Sequence, residues 1–265
     1  MNTTAVQRPG IYRRHIRLHA APGAVRADME DDSHRFGVIV RHDGRVVRAV
    51  EGLPMRTPWT LCSGARDLLS ALVGMQLAPT PLAAARHTDQ KQQCTHMFDL
   101  ATLAVAHAAR GIAGREYHIE APWYLLDGPR TITLRRDGDI VWTWTLERDR
   151  ILTPEPFATI GVRQLLVWAE QNVRDPDEIE ALFITRRAAL ICGSRLLDLD
   201  PLLNPAATGH GVGACYVHQP DRMVAARRNL GSTLDFSDRP QALLADIASS
   251  SEHVDTPSHA CGSGS

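Results

Sequence analysis

Arg35-Phe36-Gly37-Val38-Ile39-Val40-Arg41-His42-Asp43-Gly44-Arg45-Val46-Val47-Arg48-Ala49-Val50 sets two β-branched runs around a His-Asp-Gly turn, the pattern of a β-hairpin. Residues 14–25 read as a neighbouring strand. On the other side, Pro54 and Pro58 stiffen a connection into residues 61–72, where Leu61, Ala65, Leu68, Leu69 and Leu72 recur at helical spacing before Gly74. Residues 96–110 form the next expected helix, stopped by Gly111 and Gly114, with His96, Leu100, Leu103 and His107 near one face.

The period then returns to two. Residues 116–125, 130–136 and 139–147 read as a three-stranded meander joined by Asp127-Gly128-Pro129 and Asp137-Gly138 turns. Helices follow over 161–172 and 177–199, the second opened by Asp175-Pro176, and Gly209 to Cys215 is a glycine-punctuated loop. The expected class is α+β, with two antiparallel sheets each packed with helices. The expected divisions are a flexible N-terminus over 1–13, an α+β half over 14–113, a second over 114–240 sharing its core, and a largely disordered tail over 241–265.

A chain of 265 residues, 44% hydrophobic and 22% charged, can bury a sizeable core, and a net charge of −1 argues against a nucleic-acid partner. No apolar run approaches the ~18 residues of a membrane span or resembles a signal peptide, so the expected setting is the cytoplasm, without a membrane partner. The five cysteines, Cys62, Cys94, Cys192, Cys215 and Cys261, are odd in number and widely spaced, which fits free thiols in a reducing compartment.

Four clusters carry residue types suited to chemistry. In Asp31-Asp32-Ser33-His34 a carboxylate beside an imidazole can orient the ring as a general base or metal ligand; the plainer alternative is a solvated turn. Arg56-x-Pro58-Trp59-x-x-Cys62 offers an anion anchor, a stacking ring and a thiol, or a packing tryptophan and a core cysteine. Cys94-Thr95-His96 places a thiol and an imidazole at a helix N-terminus, where the positive partial charge lowers a thiol's pKa, with Thr95 as N-cap. Gly213-Ala214-Cys215-Tyr216 combines a pliant loop with a phenol. Phosphate-binding loops, dinucleotide fingerprints and a Gly-x-Ser-x-Gly elbow are all missing.

Taken in order, Glu30-Asp31-Asp32-x-His34, Arg56-x-Pro58-Trp59-x-x-Cys62-x-x-Ala65, Leu72-x-Gly74, Cys94-Thr95-His96-x-x-Asp99-Leu100-Ala101, Gly213-x-Cys215-Tyr216 and Gly231-Ser232-x-x-Asp235-Phe236 resemble a bacterial domain-of-unknown-function family marked by a Gly/Asn-Cys-Thr-His motif. Gln93 stands where that family often has Gly or Asn. The resemblance covers about residues 14–237 and implies a bacterial protein of aromatic, terpenoid or acyl-compound breakdown. The N-terminal half is also similar in layout to the iron–sulfur scaffold and sulfur-acceptor fold, with Asp32, Cys62, Cys94 and His96 as the analogues of its ligands. It lacks that fold's first ligand cysteine.

The leading functional expectation is a cofactor-free lyase or isomerase moving protons on a hydrophobic or aromatic small molecule. In it His34, His96, Asp32 and Tyr216 are catalytic, and Arg56, Trp59, Cys62 and Cys94 bind substrate. The alternative is a zinc, iron or sulfur-handling protein using Asp32, Cys62, Cys94 and His96. A homodimer with an interface pocket is the alternative to a pocket within one chain.

Overall fold

A computed structural model describes residues 9–123 and 128–247. Eight strands form one antiparallel sheet: β1 (Gly10–Ala21), β2 (Ala24–Asp31), β3 (Arg35–His42), β4 (Val47–Arg56), β5 (Gly114–Trp123), β6 (Arg130–Arg136), β7 (Asp139–Glu147) and β8 (Arg150–Thr153). Their order across the sheet is β4-β3-β2-β1-β5-β6-β7-β8. Two four-stranded meanders are thus joined edge to edge by a ten-residue β1–β5 pairing that runs from Gly10↔Trp123 to His19↔Gly114. This corrects the expectation of two sheets: β1 and β5 each lend the other a partner, so neither meander closes on its own.

Residues 14–25 are not one strand either. Pro22-Gly23 turns the chain, with Gly23 at φ +71°, and β2 then runs back along β1. Residues 10–13 belong to β1, and Tyr12 is buried.

Period-two alternation gives the sheet two distinct faces. Even-numbered residues of β1, including Tyr12, Arg14, Ile16 and Leu18, point into the core, as do Met29 and Ala27 of β2 and Phe36 and Val38 of β3. A 3₁₀ run over Cys62–Leu72, helix α1 (Thr95–Arg110), α2 (Leu165–Asn172) and α3 (Pro176–Ile191) cover this face. One core draws on both halves of the chain. Gly52 matters here, because a Cβ on it would lie 2.9 Å from Arg66 Cβ and 3.1 Å from both Leu69 Cδ1 and Met97 Sδ. Its bareness lets the 62–72 run and α1 sit directly on β4.

The opposite face carries His15, Arg17, Asp28 and Glu30. A C-terminal strap lies over it: Ile11 N–H donates to Ser237 Oγ (3.0 Å), Arg17 to the Ile247 carbonyl (3.1 Å), and Leu244 N–H to Glu30 Oε2 (2.8 Å). Leu243 and Leu244 are buried there. Residues 1–8, the end of the expected 116–125 strand with Asp127, and 248–265 with Cys261 lie outside the described residues.

Helix limits shift slightly. Cys94, not Thr95, is the N-cap residue of α1, and Gly111 closes it in the left-handed conformation at φ +66°. The expected 177–199 helix ends at Ile191 and gives way to a 3₁₀ turn over Cys192–Leu196. Among the described residues no helix is long and apolar enough to cross a membrane.

Candidate active-site cleft

The β2–β3 turn, the Pro58–Cys62 approach, the N-terminus of α1, the C-terminal end of α3 and the 208–218 loop surround a cleft of about 630 Å³. Its floor holds an Asp–His–His arrangement. Asp31 Oδ1 accepts from Ser33 N–H (3.0 Å), His34 N–H (2.9 Å) and His34 Nδ1 (2.9 Å), so Asp-Asp-Ser-His folds as a turn around the first carboxylate. Its other oxygen accepts from Arg14 (2.5 Å), which stands opposite Asp31 in the β1–β2 register, and from the Tyr12 hydroxyl (2.9 Å).

Burial pushes the Asp31 carboxyl up, but His34 and Arg14 outweigh it and hold the group well below the usual carboxylate range. An ionised Asp31 can only accept, so the neutral tautomer of His34 that it selects carries its proton on Nδ1 and its lone pair on Nε2. His96, carried by the first turn of α1, stacks on His34 with ring centres 3.9 Å apart, and Phe36 backs both rings at 5.8 Å. Burial, then the neighbouring His34 and Arg14, push the His96 imidazole well below its ordinary value, so it stays neutral. Its Nε2 is buried without a hydrogen-bond partner among the described residues.

Five of the eight expected site residues line this cleft: His34, His96, Trp59, Cys62 and Cys94. Three do not. Asp32, just beyond the end of β2, faces Arg195 (3.4 Å) and not His34; Asp31 does the orienting instead. Burial, then Asp31, raise Asp32 to about 7. The Arg56 guanidinium is spent on the carbonyls of Asp31 (2.7 Å), Asp32 (2.8 Å) and Ser232 (2.7 Å) and on Glu30 (3.0 Å), so it pins the turn and does not reach the cleft. Tyr216 lies under Arg222, whose guanidinium is 4.0 Å from the ring centre, while its hydroxyl abuts Gly64.

The helix N-terminus does not activate Cys94. Burial pushes that thiol up to about 12, which outweighs the backbone N–H groups of Met97 and His96. Cys62 is raised well above its ordinary value by burial and by Cys94 and Cys215. Among the described residues, no three of Asp32, Cys62, Cys94 and His96 bring their donor atoms within 4.8 Å, so the expected zinc, iron or cluster site does not assemble. Asp31, His34 and His96 do fall within that distance, with Asp31 Oδ1 and His34 Nδ1 joined by the 2.9 Å hydrogen bond.

The opposite wall holds groups the sequence reading did not assign. Cys215 Sγ is 3.2 Å from His218 Nδ1, and His218 Nε2 is 3.3 Å from Thr208 Oγ1, which also meets His210 Nδ1 at 2.9 Å. Burial raises Cys215, and burial with His210 lowers His218 to about 4. The pair is therefore a neutral S–H···N contact, not a thiolate–imidazolium ion pair. The Cys215-x-x-His218 spacing was the signal available. Arg163 stands exposed at the cleft with no hydrogen bond or ion pair among the described residues, whereas Arg187 is engaged by Asp99 (2.5 and 3.1 Å). His107, an expected core histidine, is buried 3.4 Å from Glu180.

No protein-family model matches the chain, and no curated protein is similar to it.

Proposed function

We propose that the protein is a small-molecule enzyme, cytoplasmic in setting, that moves protons without a redox step, as a lyase, an eliminating enzyme or an isomerase. The observation that carries this reading is the Asp31–His34 hydrogen bond, its carboxylate buried and its imidazole open to a cleft large enough for a small organic ligand. His34 Nε2 is the general base. Asp31 orients it and stabilises the imidazolium that forms, and neutral His96 shields its face from water.

The cleft's composition indicates the substrate class. Trp59, Phe36, Leu190 and Leu197 supply apolar and aromatic surface, and Arg163 supplies a charge for a carboxylate or comparable anion at one end of the ligand. The proton lost to His34 is balanced by one returned from the far wall. Cys215, kept as a thiol and backed by His218, fills the donor role that Tyr216 had been expected to fill.

A second reading uses the same 3.2 Å contact differently, with Cys215 as a nucleophile and His218 as its base. Incubating the protein in D₂O with a panel of aromatic and terpenoid carboxylates, and reading deuterium uptake by mass spectrometry, separates the two. Exchange at a ligand carbon that is lost in His34→Ala and retained in Cys215→Ser supports proton abstraction by His34. A covalent mass adduct that Cys215→Ser abolishes, with no His34-dependent exchange, overturns it in favour of the thiol.

A further inference from the structure

The outer face of the sheet holds a second convergence of ligand-type side chains, remote from the cleft. His15 on β1 and His118 on β5 are directly opposed in the strand register, and Glu116, two residues before His118, projects from the same face. Two donors from i and i+2 of one strand and a third from its neighbour thus meet above one point of a rigid surface. His15 Nε2 lies 3.7 Å and His118 Nε2 3.8 Å from Glu116 Oε2, and all three donor atoms fall within 4.8 Å of one another.

Those gaps are too long for hydrogen bonds. They match the separation of donors around one ion: bonds of about 2.0–2.2 Å in tetrahedral or flatter geometry set neighbouring ligand atoms roughly 3.4–3.8 Å apart. We propose that His15, Glu116 and His118 form a binding site for a divalent transition metal of the zinc class. Two imidazoles and one carboxylate suit zinc and its neighbours in the series, and not magnesium or calcium, which take oxygen ligands.

The surroundings prepare the ligands. His15 Nδ1 faces the Leu243 carbonyl at 3.4 Å, which directs its proton there and leaves Nε2 as the donor. That Nε2 is buried and has no hydrogen-bond partner among the described residues. Arg17 takes the other oxygen of Glu116, with Nε 3.2 Å from Oε1, and so turns Oε2 toward the histidines. Because Leu243 belongs to the C-terminal strap, an ion held by His15 ties that strap to the β1–β5 join.

The test is a zinc titration of the untagged, chelator-treated full chain against a chromophoric competitor, with thermal unfolding followed in parallel. Wild type is expected to take up one equivalent that His118→Ala and Glu116→Gln each weaken by at least about tenfold. Zinc is expected to raise Tm in wild type and in His34→Ala, but not in the two site variants. Both site variants alter side chains that are about two-fifths exposed, so each should fold; the two check one another. The proposal is overturned if wild type takes up no zinc, if His118→Ala and Glu116→Gln bind as wild type does, or if His34→Ala alone removes the equivalent.

Discussion

Asp31 and Asp32 are neighbours in one turn, and both are buried, but their environments drive them in opposite directions. Asp31 is ionised against Arg14 and His34; Asp32 meets Arg195 only at 3.4 Å, has a second oxygen without a partner among the described residues, and is raised to about 7. Replacing Asp31 by Asn leaves the buried Arg14 uncompensated, and the expected loss is about 3–5 kcal/mol in urea unfolding. Asp32→Asn acts through pH. A carboxyl raised from 3.8 to about 7 binds a proton in the folded chain that the unfolded chain has already lost, so wild-type stability falls as pH climbs through that interval. The Tm of Asp32→Asn minus that of wild type should therefore grow from pH 4 to pH 7 and level off above. A gap that shrinks with rising pH would show that Asp32 is ionised throughout. Once an assay exists, His34→Ala should lower turnover by about 10²–10⁴-fold with unchanged circular dichroism. The sequence showed that carboxylates flank His34. Which of the two meets the ring is decided by the Asp31 to His34 turn, which folds its N–H groups around Asp31 Oδ1, and residue spacing does not encode that turn.

At the level of elements, the patterned segments were legible and the unpatterned ones were not. The β3–β4 hairpin, α1 and the β5–β7 meander all declare themselves by spacing. β2 does not, because it is covered on both faces and seven of its eight residues are buried, which erases alternation; the Pro22-Gly23 turn before it was the readable cue. Packing between elements yields two expectations. Gly52→Ala pushes a methyl against Arg66, Leu69 and Met97 and should cost about 1–3 kcal/mol, seen as a lower urea midpoint. Glu180 on α3 is fully buried and meets Arg110, Tyr117 and His107, which hold it below its ordinary value against the upward push of burial. Glu180→Ala should cost about 3–5 kcal/mol and loosen α3 from α1 and β5, measurable by amide exchange in α3.

Over the whole molecule, the strand order could not be read from local pattern, because Leu18 pairs with Arg115 and nothing near either residue names the other. The same distance hid the cleft: its walls come from the β2–β3 turn, α1 and a loop some 120 residues later, so Cys215 and His218 gave no sign of facing His34. The join between the meanders has a kinetic side as well. Hairpins such as β1–β2 close around a two-residue turn, whereas β1–β5 closes over roughly a hundred residues, an extra chain-entropy cost of about 3 kcal/mol. Before that closure, each half-sheet presents a bare strand edge that fits the other half of any identical chain. At high concentration the refolding chain can therefore complete its sheet with a second molecule, exchanging halves and yielding a swapped dimer made wholly of native pairings.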